Sequence, residues 1–210
     1  MSAAVITAKW TIEDYHRMID AGILNDRHVE LLNGEIVEMP PEGTSHAAYS
    51  QNAADYLRSL LGSRVRIREA KPITLPPNDS EPEPDIAIVA PHPIAVYVQH
   101  HPYPEDIFWL IEYSDSSLKK DMEIKPQTYA AAGIREYWVI NLKVKELIVF
   151  RSRRAAGTDS RRAAGTDSRS AAGTESPTPT GYQSKQTFTS GSISPLAFPD
   201  VSVSVQQLFS

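Results

Sequence analysis

PDIAIV at residues 84–89 and FWLIEYS at residues 108–114 decide how this chain folds. Both runs are short, rich in β-branched or aromatic residues and flanked by turn-forming ones, which is how strands buried in a sheet read. Asp85 opens the first run and Glu112 stands near the end of the second. If the two strands pair antiparallel, these ends meet and the carboxylates can lie side by side. Side chains alternate along a strand, so Asp85 shares a face with Ala87 and Val89, and Glu112 with Leu110 and Phe108. Carboxylates that close repel each other unless a cation or a proton lies between them. Mg2+ suits such a pair, because it takes oxygen ligands and keeps several waters. Spacing alone leaves a simpler alternative open: an ordinary strand-start aspartate and a solvent-facing glutamate.

The sequence on either side supplies the remaining elements. Val65, Ile67 and Ala70 alternate with arginines as one strand, and Pro72-Ile73-Thr74-Leu75 is extended as another. A helix is expected near 45–61, capped by Thr44 or Ser45, with Ala48, Ala53, Tyr56, Leu57, Leu60 and Leu61 on its buried side. VELLNGEIVEM at 29–39 predicts a hairpin, since Asn33 and Gly34 both tolerate the positive φ of a two-residue turn. A first helix fits 11–21, with Thr11 as its cap and Gly22 at its end. A third helix is expected over about 117–132, ending at Gly133, and Tyr137–Ile140 with Glu146–Phe150 make a further hairpin. This order implies an α/β or α+β mixed sheet with helices packed against it.

Residues 152–175 repeat with a period of eight, SRRAAGTD, SRRAAGTD, SRSAAGTE, and carry no large apolar residue. No packed repeat architecture has that period. Residues 152–180 are therefore expected to be a disordered insertion in a hairpin, with 1–151 and 181–210 forming one domain. A phosphate-binding arm of arginines is the rival expectation for the repeat.

Bulk properties narrow the function. The apolar runs, such as FWLIEY at 108–113, fall well short of the roughly 18 residues that a membrane span needs. MSAAVITAKW lacks the basic start and continuous apolar stretch of a secretory signal. The chain has no cysteine, which excludes disulfides and thiolate metal sites and fits a cytoplasmic location. Its net charge of −5 argues against a broadly basic surface, so phosphate contacts would have to be local. Two clusters could supply them: Arg64, Arg66, Arg68 and Lys71, or Lys119, Lys120 and Lys125.

Beyond Glu112, a helix would place Asp121, Lys125 and Tyr129 on one face. A lysine beside two carboxylates could polarise a phosphate or orient an attacking water; a surface ion pair is the plainer alternative. Pro126 must either begin that helix or kink it. Glu81 and Glu83 read as a solvated acidic loop or as additions to an anionic pocket. His46 could touch a phosphate, or serve as a cap or core residue. His100-His101 has no third ligand at usable spacing, so no transition-metal site is expected there.

VELLNGEIVEM, EPDIAIV, IEYSDSSLKKD, KPQTYAAAGI and EYWVI, in that order, resemble the Uma-two family of endonucleases in the PD-(D/E)xK, restriction-endonuclease-like superfamily. The resemblance runs from about Tyr15 to Phe150, more weakly from Tyr182 to Phe209. It implies a restriction-endonuclease-like mixed sheet flanked by helices, with extra β-hairpins. It also implies Mg2+-dependent hydrolysis of phosphodiester bonds in DNA, with Mn2+ as a substitute, by a homodimer. Asp85 matches the aspartate of the PD motif and Glu112 the acid that opens E-x-K. Glu30 matches an acid that joins the metal site, here through water, and Lys125 a lysine supplied from the helix. Asp85 and Glu112 would hold the cation with help from the Tyr113 backbone carbonyl. Ser114 stands where the superfamily usually has its lysine, so activity would depend on Lys125, or on Lys119 or Lys120, reaching back. A catalytically inactive nuclease-fold module binding nucleic acid or protein is the alternative. An assembly protein pairing through sheet edges near 145–150 and 181–189 is a third.

Overall fold

The computed structural model describes residues 7–152 and 181–210. Thr11 caps α1 (Ile12–Asp20) through a reciprocal box, accepting from the Asp14 N–H while the Asp14 carboxylate takes the Thr11 N–H. β1 (Val29–Leu32) and β2 (Glu35–Glu38) form the expected hairpin, with Asn33 at φ 51° and Gly34 at φ 74°. α2 (Thr44–Leu61) begins after Gly43 with no side-chain cap, so neither Thr44 nor Ser45 caps it. Its buried residues are Ala53, Ala54, Leu57 and Leu61; Ala48 is exposed, because the first turns overhang the cleft that His46 lines.

There follow β3 (Arg66–Glu69), β4 (Ile86–Val89), α3 (Ile94–Tyr97), β5 (Ile107–Ser114), α4 (Lys125–Ala131), β6 (Glu136–Asn141) and β7 (Glu146–Arg151). The last strands are β8 (Ser184–Phe188), β9 (Ser192–Ile193) and β10 (Val203–Ser204). β3 to β8 make one six-stranded sheet in chain order. Only β5 and β6 run parallel, and α4 lies in the connection between them. β7 is bonded on both sides, so the expected free edge at 145–150 does not exist; the edges are β3 and β8. Residues 72–75 join no long strand: Ile73 and Thr74 donate to the Pro82 and Pro102 carbonyls, and Leu75 makes a lone bridge to Ser80. The disordered insertion expected at 152–180 lies, beyond Ser152, outside the described residues.

Both sheet faces are buried, which is why the central strands read as almost unbroken apolar runs. One face packs Ile86, Ile88, Trp109 and Trp138 against α2 and the C-terminal residues Phe198, Val203 and Leu208. The other packs Ala87, Val89, Leu110 and Val139 against Tyr129 and Ala132 at the α4 end. Phe108 departs from the expected alternation. Val89 pairs with Ile107 instead, leaving Phe108 as an extra residue that turns to the α2 face and meets Phe198 edge to face.

The helix after β5 resolves the Pro126 conflict in a third way. It starts at Leu118 and widens into a π-helical turn at Lys120–Ile124 before continuing as α4. Pro126 has no N–H to give; the wider turn instead lets the Lys125 N–H reach the Lys120 carbonyl. Among the described residues no helix is long and apolar enough to cross a membrane.

Candidate metal centre

β4 and β5 pair antiparallel, with Ile86 opposite Ile111, so Asp85 and Glu112 emerge at the same end of the sheet. Both line one cleft, together with His46 from the first turn of α2, Glu42 just before that helix, and Lys120, Asp121 and Lys125 from the widened turn. Asp85 is held on one side only. Its Oδ2 accepts from the Tyr113 N–H at 2.6 Å and lies 3.0 Å from His46 Nε2. Among the described residues its Oδ1 accepts no hydrogen bond.

Glu112 is buried at the back of the cleft. Its Oε1 accepts from Lys125 Nζ at 2.6 Å and from the Tyr129 hydroxyl at 2.9 Å, while Oε2 accepts none among the described residues. Asp121, Lys125 and Tyr129 share the inward helix face as their spacing predicts, so the plain surface ion pair is excluded: Lys125 is only 2% exposed. Its ammonium also lies 3.7 Å from Glu30 Oε2 and 3.9 Å from Asp121 Oδ1. Glu30, wholly buried in β1, bonds Lys120 Nζ at 2.7 Å and takes the Glu83 N–H. Ser114, two residues after Glu112, donates to Asp121 Oδ2 at 2.7 Å.

Electrostatics follow from this crowding. Burial pushes the Glu112 carboxyl above its ordinary value against the pull of Lys125, and Asp85, Asp121 and Glu30 add to the push. Burial pulls Lys125 down, but Glu112, Glu30 and Asp121 outweigh it and drive it well above the usual lysine value. Burial also opposes the His46 cation, yet Asp85, with Glu42 and Glu112, outweighs it and lifts His46 to about 9. Five carboxylates thus crowd two lysines and one histidine, and among the described residues Asp85 Oδ1, Glu112 Oε2 and Asp121 Oδ1 accept no hydrogen bond. That donor set fits a divalent cation with oxygen ligands. Glu42, His46 and Asp85 also offer one ligand atom each, all within 4.8 Å of one another.

Sequence expectation and structure differ at several positions. Lys119 is exposed and not part of the cleft lining. Glu81 is no solvated loop residue: it is 4% exposed and holds the Thr74 hydroxyl and His16 Nε2, each at 2.7 Å. Glu83 does line the cleft. His46 is neither cap nor core; it faces Asp85. Glu42 was missed: it lies just before α2, and only the fold shows it 3.7 Å from His46 Nδ1 and beside Asp85.

The family model described as “Uma2: Putative restriction endonuclease” matches residues 12–175, a span that holds every cleft residue named above. A crystal structure described as “a putative nuclease belonging to DUF820 from Anabaena variabilis ATCC 29413” is similar with a TM-score of 0.61. At 14% identity the likeness covers 95% of this chain and 97% of that one, and it shows the fold alone. No curated protein matches by sequence. With the cleft, five of the sheet's six strands and most of its length inside the match, the chain belongs to the Uma2 family.

Proposed function

We propose that this chain hydrolyses phosphodiester bonds in DNA with a divalent cation, Mg2+ or Mn2+ in its place, at the Asp85–Glu112 cleft. One observation carries the proposal: two carboxylates from facing strand ends each keep an oxygen without a donor, and a buried lysine is bonded to one of them. Asp85 Oδ1, Glu112 Oε2 and the Tyr113 carbonyl would hold the cation, with Glu30 acting through water. When bound, the cation supplies charge neutralisation at the phosphate and lowers the pKa of a water. The Tyr113 N–H and His46 fix the Asp85 carboxylate by its other oxygen, so its rotamer is set before substrate arrives. Lys125 donates to a non-bridging phosphate oxygen as charge develops there, and Glu30 and Lys120 hold its stem side of the cleft in place. Residues 1–151 and 181–210 act as one domain, in the cytoplasm and as a homodimer.

A plasmid-nicking assay with Mg2+ or Mn2+ beside Asp85→Ala tests this. Cleavage by the wild type that disappears in the variant is expected. No cleavage, or equal cleavage by both proteins, would leave a nuclease-fold binding module as the better account.

A further inference from the structure

β3 is an edge of the sheet, and Arg66 and Arg68 lie opposite Val89 and Ala87 of β4, on one side of it. Both guanidiniums lie over the Tyr97 ring of α3, its centroid 5.8 Å from Arg66 Cζ and 5.9 Å from Arg68 Cζ. Both fall within cation–π reach. The Tyr97 hydroxyl donates to the Ala90 carbonyl at 2.8 Å, which fixes the ring. Each guanidinium donates to one carbonyl, Arg66 to His92 and Arg68 to Pro72, both at 3.3 Å.

These arginines differ from their neighbours in lacking a counter-charge. Arg58 is paired with Asp55 and Glu69, and Arg64 with Asp200. Among the described residues Arg66 and Arg68 form no ion pair, and the buried Nε of each has no hydrogen-bond partner. Burial pulls the Arg68 guanidinium below its usual value; Tyr97 opposes the fall and the neighbouring Arg66 adds to it. Two adjacent, half-buried, uncompensated cations in a chain of net charge −5 are complete only with an anion between or over them. Guanidinium forks match phosphate oxygens in pairs.

Position says which phosphate. Ala70 donates its N–H to the Asp85 carbonyl, so the C-terminal end of β3 lies at the cleft and Arg68 and Arg66 lie progressively farther from it. At 3.3–3.4 Å per residue, Arg68 lies about 7 Å and Arg66 about 13 Å along the strand from that end. A nucleic-acid strand laid along β3 would thus bring phosphates beyond the cleft first to Arg68 and then to Arg66.

We propose that Arg66 and Arg68, braced on Tyr97, form a phosphate-backbone site that holds the nucleic-acid strand where it leaves the cleft. This rests on the phosphodiesterase function proposed above and extends it to how substrate is held. Fluorescence anisotropy with labelled single-stranded and duplex oligonucleotides, in Ca2+ and across a salt series, tests it. Arg66→Gln/Arg68→Gln is expected to weaken binding at least tenfold near 0.1 M salt. Its salt slope should fall in magnitude by about 1.8 on duplex or about 1.4 on single strands, the loss of two phosphate contacts. Arg64→Gln should match the wild type, since Asp200 already neutralises that arginine. Should the double variant melt below the assay temperature, Arg66→Lys/Arg68→Lys, with the wild-type slope, and Arg66→Gln alone, with half the change, decide the matter. An unchanged slope in the double variant overturns the inference, and if the wild type still nicks plasmid, it leaves the proposed function standing. A wild type that binds no oligonucleotide overturns both. Displacement of the oligonucleotide by millimolar inorganic phosphate would assign the pair to a single small anion and overturn the strand-holding role.

Discussion

Glu112 and Glu136 lie on adjacent paired strands, β5 and β6, and are 3% and 0% exposed, yet they serve opposite ends. Glu136 is saturated. Its Oε1 takes Trp138 Nε1 at 2.9 Å and Arg151 at 2.9 and 2.6 Å, and its Oε2 takes the Leu196 N–H at 2.6 Å. That cluster ties β6, β7 and the segment before β10 together. Glu112 has one oxygen occupied and one open, and three further carboxylates raise its cost of ionisation. Burial therefore does not mark the functional acid; unused acceptor capacity beside surplus like charge does.

The contrast can be broken first at Glu136. Glu136→Ala strands the Arg151 cation, the Trp138 N–H and the Leu196 N–H, and should cost about 3–5 kcal/mol, a fall in melting temperature of roughly 10 °C by calorimetry. Glu112→Gln should instead melt at or above the wild type, because it removes a carboxyl whose ionisation burial and its neighbours oppose; a fall of several degrees would erase the distinction. The same Glu112→Gln protein should nick plasmid at least about a hundredfold more slowly, roughly 2.7 kcal/mol of barrier.

Cation binding sharpens the comparison further. Mg2+ or Mn2+ at about a hundred times its dissociation constant should stabilise the wild type by about 2.7 kcal/mol. Asp85→Ala should show no shift in a thermal melt, and a chelator should reverse the gain. On the acid side, burial pushes Glu30 up, but Lys125 and then Lys120 outweigh it and hold it below its ordinary 4.5. Its contribution is therefore complete above the unfolded value of 4.5 and lost as pH falls through the lower folded value. Melting temperature from pH 6 to pH 3 should drop more steeply for the wild type than for Glu30→Gln. The smallest effect is local: Thr11→Ala removes one half of the capping box and should cost about 1 kcal/mol, a few degrees in melting temperature.

Much of the architecture was legible in the chain. The Asn33-Gly34 hairpin, the Thr11 cap, the strand at 107–114 and the shared face of Asp121, Lys125 and Tyr129 all depend on neighbours within a few residues. The missing cap of α2, the bulge at Phe108 and the lone bridge of residues 72–75 were not. Each depends on what lies across a gap of many residues: the Phe198 ring, the Pro82 and Pro102 carbonyls, the cleft beneath α2. The site divides the same way. Asp85, Glu112 and Lys125 stand out by motif, whereas Glu42 reveals itself only once α2 is laid against the end of β4.

By itself the sequence determined most of the elements, most of their buried faces and the acids that open and close the central strands, since side-chain periodicity and turn chemistry are short-range properties. Only the tertiary structure decided which carboxylates meet, which are saturated and which cations stand unpaired. Charge pairing is set by register and by contacts between distant segments, and no periodicity encodes either. The same residue type on two adjacent strands could therefore become a sealed structural acid at Glu136 and an open one at Glu112.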